Sequence, residues 1–61
     1  MNSNELIKRV LNDRWYKVGQ KGSHAQYKHP DKPGRLTIPT PVKDLPVGTV
    51  KSILKQAGLS E

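Results

Sequence analysis

The 61-residue chain contains no cysteine, only five acidic residues and no long apolar run. Without thiols it can build neither a disulfide framework nor a thiolate metal site. Chains of that kind fit a reducing compartment, and the cytoplasm is the expected location. No segment approaches the ~18 apolar residues that a membrane span requires, and the N-terminus lacks the apolar core of a signal peptide. The few carboxylates are scattered, so no acidic cluster is available to hold a metal. No internal repeat, low-complexity tract or linker is visible, and residues 1–61 read as one domain. Apolar residues are only 33% of the chain, which makes the core thin and a stabilising partner useful.

What the chain does have is positive charge, net +6 with a pI near 10.0. Between Arg14 and Arg35 the bases Arg14, Lys17, Lys21, Lys28, Lys32 and Arg35 face Asp31 alone, a local net charge of +5. Charge gathered in one third of a domain points to a polyanion or an acidic partner.

Local patterns give the order of elements. Ser3 is expected to cap a first helix, with Glu5 in its first turn and Leu6, Ile7, Val10 and Leu11 on one face. Asn12 and Asp13 end it. "WYKVGQ" and "HAQYK" read as strands separated by the turn "KGS". Lys32-Pro33-Gly34-Arg35 suits a type II turn, and "RLTIP" is a third strand that stops at its prolines. A second helix runs from Pro46 to just before Gly58, with Val47, Val50, Ile53, Leu54 and Ala57 as its apolar face. The predicted fold class is therefore α+β, in the order α-β-β-β-α. Both helices pack on one face of a three-stranded antiparallel sheet and leave the other face in water.

That arrangement places the histidine after the Gly-Ser turn. Side chains alternate along a strand, so Ala25 and Tyr27 point toward the helices, while His24, Gln26 and Lys28 share the wet face. Metal binding is not expected at His24. His29, five residues on, falls on the opposite face, and zinc needs three or four convergent ligands. Two readings remain: a surface histidine without special role, and a reaction centre. Cleavage of RNA by its own 2′-OH needs one group to take that proton and another to protonate the departing 5′ oxygen. It also needs positive charge beside the crowded phosphate. Histidine titrates close to neutral pH and can serve either proton transfer, and Lys21 and Lys28 can supply the charge. No cofactor is required. From the residues alone, a nuclease, a non-catalytic RNA-binding module and a basic adaptor for an acidic protein all stay open.

The motifs "RWYKVGQKGSHAQYKHP", "KPGRLTIPTP" and "LPVGTVKSILKQAGLS" narrow the choice, because they closely resemble the HicA family of bacterial toxins. The Gly22-Ser23-His24 run followed by Tyr27 is the most specific piece. The resemblance implies a fold like double-stranded-RNA-binding domains and a ribosome-independent mRNA interferase whose single required histidine is His24. Lys21, Ser23, Gln26 and Lys28 are the expected substrate contacts around it, and His29 is expected to have no catalytic role. The resemblance also implies neutralisation by a HicB antitoxin that covers the active face, with any DNA contact made through that antitoxin. Two departures stand out. Many relatives have glycine where this chain has Arg14, before Trp15. The last helix opens "DLPVGTVK", without the lysine cluster by which such domains grip duplex RNA, so single-stranded mRNA is the expected substrate.

Overall fold

The computed structural model describes residues 1–59; Ser60 and Glu61, the end of the predicted domain and of its closing motif, lie outside the described residues. The order is α1 (Ser3–Asn12), β1 (Tyr16–Lys21), β2 (His24–Lys28), β3 (Leu36–Pro39) and α2 (Val47–Gln56). The three strands form one antiparallel sheet in the order β1-β2-β3, as the α-β-β-β-α reading required.

The alternation of β2 and β3 builds the core. Ala25, Tyr27, Leu36 and Ile38 point to the helix-covered side. They meet Leu6 and Val10 of α1, Trp15, Leu45, and Ile53 and Ala57 of α2, all buried. Stripping a side chain such as Ile38 back to alanine would cost about 2–5 kcal/mol. In so thin a core that is a large share of the total stability. Pro39 is tolerated because it closes β3, an edge strand, where a missing N–H costs little. A one-residue irregularity between Lys17 and Gly19 lets β1 bulge at Val18.

Three local expectations are corrected. The cap of α1 is Asn2, whose Oδ1 accepts from the Glu5 N–H at 2.8 Å. Ser3 is instead buried and zips the start of α1 to the segment after β3. Its N–H donates to the Val42 carbonyl, and its Oγ accepts from the Val42 N–H, both at 2.9 Å. Ser3 and Asn2 can both cap a helix, and the contact with Val42, distant in sequence, decides between them. Leu11 and Val47, assigned to the apolar faces, are 47% and 69% exposed. The buried stripe of each helix is narrower than the run of apolar residues, and Val47 stands at the open start of α2.

Both helices end in the same way. At α1 the Trp15 N–H reaches the Val10 carbonyl and the Arg14 N–H reaches Leu11. At α2 the Leu59 N–H reaches Leu54 and the Gly58 N–H reaches Lys55. These are paired Schellman closures, which place one residue in the left-handed region. Gly58 takes that place at φ 73°, and Arg14 takes it at φ 76°. The first departure from the family pattern, Arg14 in place of glycine, thus falls on a backbone position made for glycine.

Candidate functional site

The hairpin between β1 and β2 turns on Gly22 and Ser23. Gly22, at φ 59°, takes the first turn position. Ser23 is not in the left-handed region, so the turn is of the type II′ kind, which prefers glycine there. The turn is tied on two sides: the Gln20 side-chain amide donates to the Gly22 carbonyl at 2.9 Å, and the Thr40 N–H to the Ser23 carbonyl at 2.8 Å. His24 begins the central strand immediately after it, flanked across the sheet by Lys21 on β1 and Pro39 on β3. Its backbone is therefore fixed by two neighbouring strands, while its ring is exposed.

Register decides which groups share its face. Cross-strand partners point the same way, so Lys21, Gly19 and Tyr16 of β1 accompany His24, Gln26 and Lys28 of β2. Thr37 and Pro39 of β3 join them. Arg35, just before β3, reaches over this face and donates to the Gln26 Oε1 at 2.7 Å. Lys21, Ser23, Lys28 and Arg35 are exposed and Gln26 half-buried. Of these, Lys21 is the partner directly across from His24. Lys28 stands about 13 Å further along the strand at ~3.3 Å per residue.

The open face is not open everywhere. At its β3 edge the first turns of α2 rise beside the sheet and border a shallow, open cleft of about 390 Å³. His24, Thr37 and Pro39 form the sheet side, and Gly48, Thr49 and Ser52 the helix side, above buried Ile53. Strand parity puts Thr37, the partner of Gln26, on the same face as His24. The helix residues come from tertiary packing, and no local pattern of the sequence announces them.

The rest of the basic segment divides. Lys32 is not available to a ligand, because its Nζ donates to the Asp13 carboxylate and, at 2.9 Å, to the Ala57 carbonyl. It clamps the end of α1 to the end of α2. That hydrogen bond holds the Asp13 carboxyl below its ordinary pKa. Arg14 pairs on the surface with Asp31 at 2.6 Å. The +5 stretch therefore spends part of its charge inside the fold, and Lys17, Lys21, Lys28 and Arg35 carry what faces solvent.

His29 is a structural residue. It is 8% exposed and lies edge-on to the Trp15 ring at 5.2 Å. Its Nε2–H donates to the Asp13 carbonyl at 2.6 Å, and its Nδ1 accepts from the Asp31 and Lys32 N–H groups, both at 3.0 Å. Tyr27 is likewise turned into the core, where burial raises its phenol pKa. Among the described residues no group of three His, Cys, Asp or Glu side chains could hold a metal ion, and no helix is long and apolar enough to cross a membrane.

Residues 3–59 match the family model described as the HicA toxin of bacterial toxin-antitoxin systems, and the chain belongs to that family. A search of curated proteins finds no match.

Proposed function

We propose that this HicA toxin is a metal-independent, ribosome-independent endoribonuclease of single-stranded mRNA, with His24 as its acid–base catalyst. The 2′ oxygen attacks the adjacent phosphorus as His24 takes its proton, the P–O5′ bond breaks, and the departing 5′ oxygen is protonated. The products are a 2′,3′-cyclic phosphate and a 5′-hydroxyl. The observation that carries this reading is the contrast in how the two imidazoles are used. His24 has an exposed ring on a fixed backbone at the mouth of a cleft, whereas His29 has both nitrogens bound to the chain.

Lys21, opposite His24 in the ladder, is the cation closest in register to the reacting phosphate and stabilises its developing charge. Lys28, further along the strand, and Arg35, held by Gln26, serve neighbouring phosphates. Ser23 and Gln26 offer hydrogen bonds beside them. The general acid is Lys21, water or His24 in its protonated form. Tyr27 is buried on the other side of the sheet and is not a candidate.

A toxin of this family pairs with an antitoxin, and here a HicB protein is the proposed partner. An acidic surface on that protein would be steered to Lys21, Lys28 and Arg35 and would cover His24 directly. Exposed Tyr16 on β1, 49% accessible and paired with Lys28, gives such a partner an apolar anchor on the same face.

The deciding experiment incubates toxin freed of antitoxin with a long unstructured RNA in EDTA. Wild type should yield fragments with cyclic phosphate ends, and a His24→Ala protein with an unchanged circular dichroism spectrum should yield none. Intact RNA in both reactions, from folded protein that still binds it, would leave a non-catalytic RNA-binding module.

A further inference from the structure

Gly48 is a glycine the fold does not need. Among the described glycines, the positive-φ ones are Gly22, Gly34 and Gly58, so Gly48 has ordinary helical backbone. No atom outside its immediate neighbours lies within 4 Å of the position a Cβ would take. Neither conformation nor packing excludes a side chain there. Yet glycine within a helix weakens it relative to alanine and most other residues. The space left bare is in the wall of the cleft that contains His24.

The other walls of that cleft are suited to a neutral part of a nucleotide. They carry the hydroxyls of Thr37, Thr49 and Ser52 and no ammonium, guanidinium or carboxylate group. Among the described residues, Thr37 and Thr49 make no side-chain hydrogen bond, and Ser52 Oγ only accepts a long one, 3.4 Å, from Gln56. The cationic groups Lys21, Lys28 and Arg35 lie on the sheet instead. The cleft volume of about 390 Å³ is at the small end of ligand-binding pockets, which run ~300–1,000 Å³. An open cleft of that size matches the scale of a single nucleotide.

We infer that this cleft seats one nucleotide flanking the scissile phosphate, that Gly48 keeps it open, and that the Thr37 and Thr49 hydroxyls bond its sugar or base. This rests on His24 being the catalyst. The RNA strand then runs with its phosphates along the cations of the sheet. One nucleoside turns off that track at His24 into the β3–α2 cleft, which fixes the strand relative to the imidazole. Positioning of this kind is sensitive, since a misplacement near 1 Å can cost about 100-fold in rate.

The test compares wild type with Gly48→Ala, Gly48→Gln and Thr49→Val on one single-stranded RNA, with melting temperatures measured alongside. Gly48→Gln puts an uncharged side chain into the cleft on a backbone that accepts it. It is expected to lower kcat/KM about 10- to 100-fold while leaving the melting temperature equal or higher. Gly48→Ala is expected to melt higher and lose less activity. Thr49→Val is expected to shift the distribution of cleavage sites along the RNA at unchanged stability. Wild-type activity in Gly48→Gln would overturn the cleft and leave the role of His24 standing. Loss of activity together with a lowered melting temperature would make Gly48 structural and overturn it as well. An inactive wild type would remove the nuclease reading, and the cleft would fall with it.

Discussion

His24 opens the short strand β2 and His29 follows its end, and the structure places their rings oppositely. His29 has its two ring nitrogens committed to three backbone groups, and its ring packs against Trp15. It joins the end of α1, through the Asp13 carbonyl, to the loop that follows β2. His24 has its backbone held between two strands and its ring in solvent at a cleft. An imidazole can be a rigid three-way hydrogen-bonding joint or a mobile proton carrier, and burial of both nitrogens excludes the second role. Residue type alone would have made them equivalent.

Substitution separates the two most sharply. His24→Ala should abolish the proton transfers and lower cleavage by about 10²–10⁴-fold. Being a surface change, it should alter stability by less than about 0.5 kcal/mol. His29→Ala should do the reverse. It leaves two part-buried N–H groups and a carbonyl without their imidazole partner and opens a void beside Trp15, for a loss of about 2–4 kcal/mol. The fraction that remains folded should keep the catalytic rate per molecule. Denaturant melts and single-turnover cleavage on both proteins check the pair. A stable, inactive His29→Ala would end the contrast.

Charge divides in the same manner, into residues used by the fold and residues facing solvent. Replacing Lys21 and Lys28 together should weaken RNA binding and flatten its salt dependence. Each lost phosphate contact on a single strand removes about 0.7 from the slope of log K against log salt, so the pair should remove about 1.4. Lys32→Met should leave that slope unchanged and lower the melting temperature, because Lys32 is tied to Asp13 and Ala57. Filter binding across a salt series distinguishes them. An equal change of slope in both would mean that Lys32 meets RNA after all.

The same clamp gives a pH dependence. The Lys32 hydrogen bond lowers the Asp13 carboxyl below its usual value of 3.8. A depressed folded-state pKa contributes stability that is fully present above the unfolded value. That contribution is lost as pH falls through the folded one. Thermal melts should therefore decline below about pH 4 in the wild type. Part of that decline should be missing in Asp13→Asn, which starts lower and depends less on acid. Parallel acid limbs in the two proteins would remove Asp13 from the account.

How much of this was written in the sequence depends on the range of the interaction. Alternation in "HAQYK" and "LTIP" placed Ala25, Tyr27, Leu36 and Ile38 inward and His24 outward, because strand parity is local. Proline and glycine marked the start and end of α2 for the same reason. Ser3 was misread as a cap because its partner, Val42, is 39 residues away. Lys32 adds to the +5 stretch in the sequence but not to the charge free for a ligand, because its two acceptors, Asp13 and Ala57, lie far from it in sequence. The helix wall of the cleft escaped notice because Gly48, Thr49 and Ser52 look unremarkable until α2 is placed against β3. The family motif led to His24, but the surroundings of His24 are a product of packing.

The smallest expected effect concerns the two helix ends, which close alike on different residues. Gly58 adopts its left-handed backbone freely. Arg14 holds the same conformation with a Cβ, at a cost of about 1 kcal/mol. Its exposed pair with Asp31, 70% and 64% accessible, returns only about 0–1 kcal/mol. Arg14→Gly should therefore stabilise the fold by up to about 1 kcal/mol. Arg14→Ala, which keeps the strain and loses the pair, should be neutral or slightly destabilising. The difference between glycine and alanine at this one position isolates the backbone term, since neither side chain reaches Asp31. Gly58→Ala should lose more than Arg14→Ala, because its added Cβ would also lie 3.1 Å from the Lys32 ammonium that bonds Ala57. Chemical denaturation of the three variants settles the order. If Arg14→Ala proved as stable as Arg14→Gly, positive φ at residue 14 would carry no penalty here. The advantage of glycine would then have to come from removing the arginine alone.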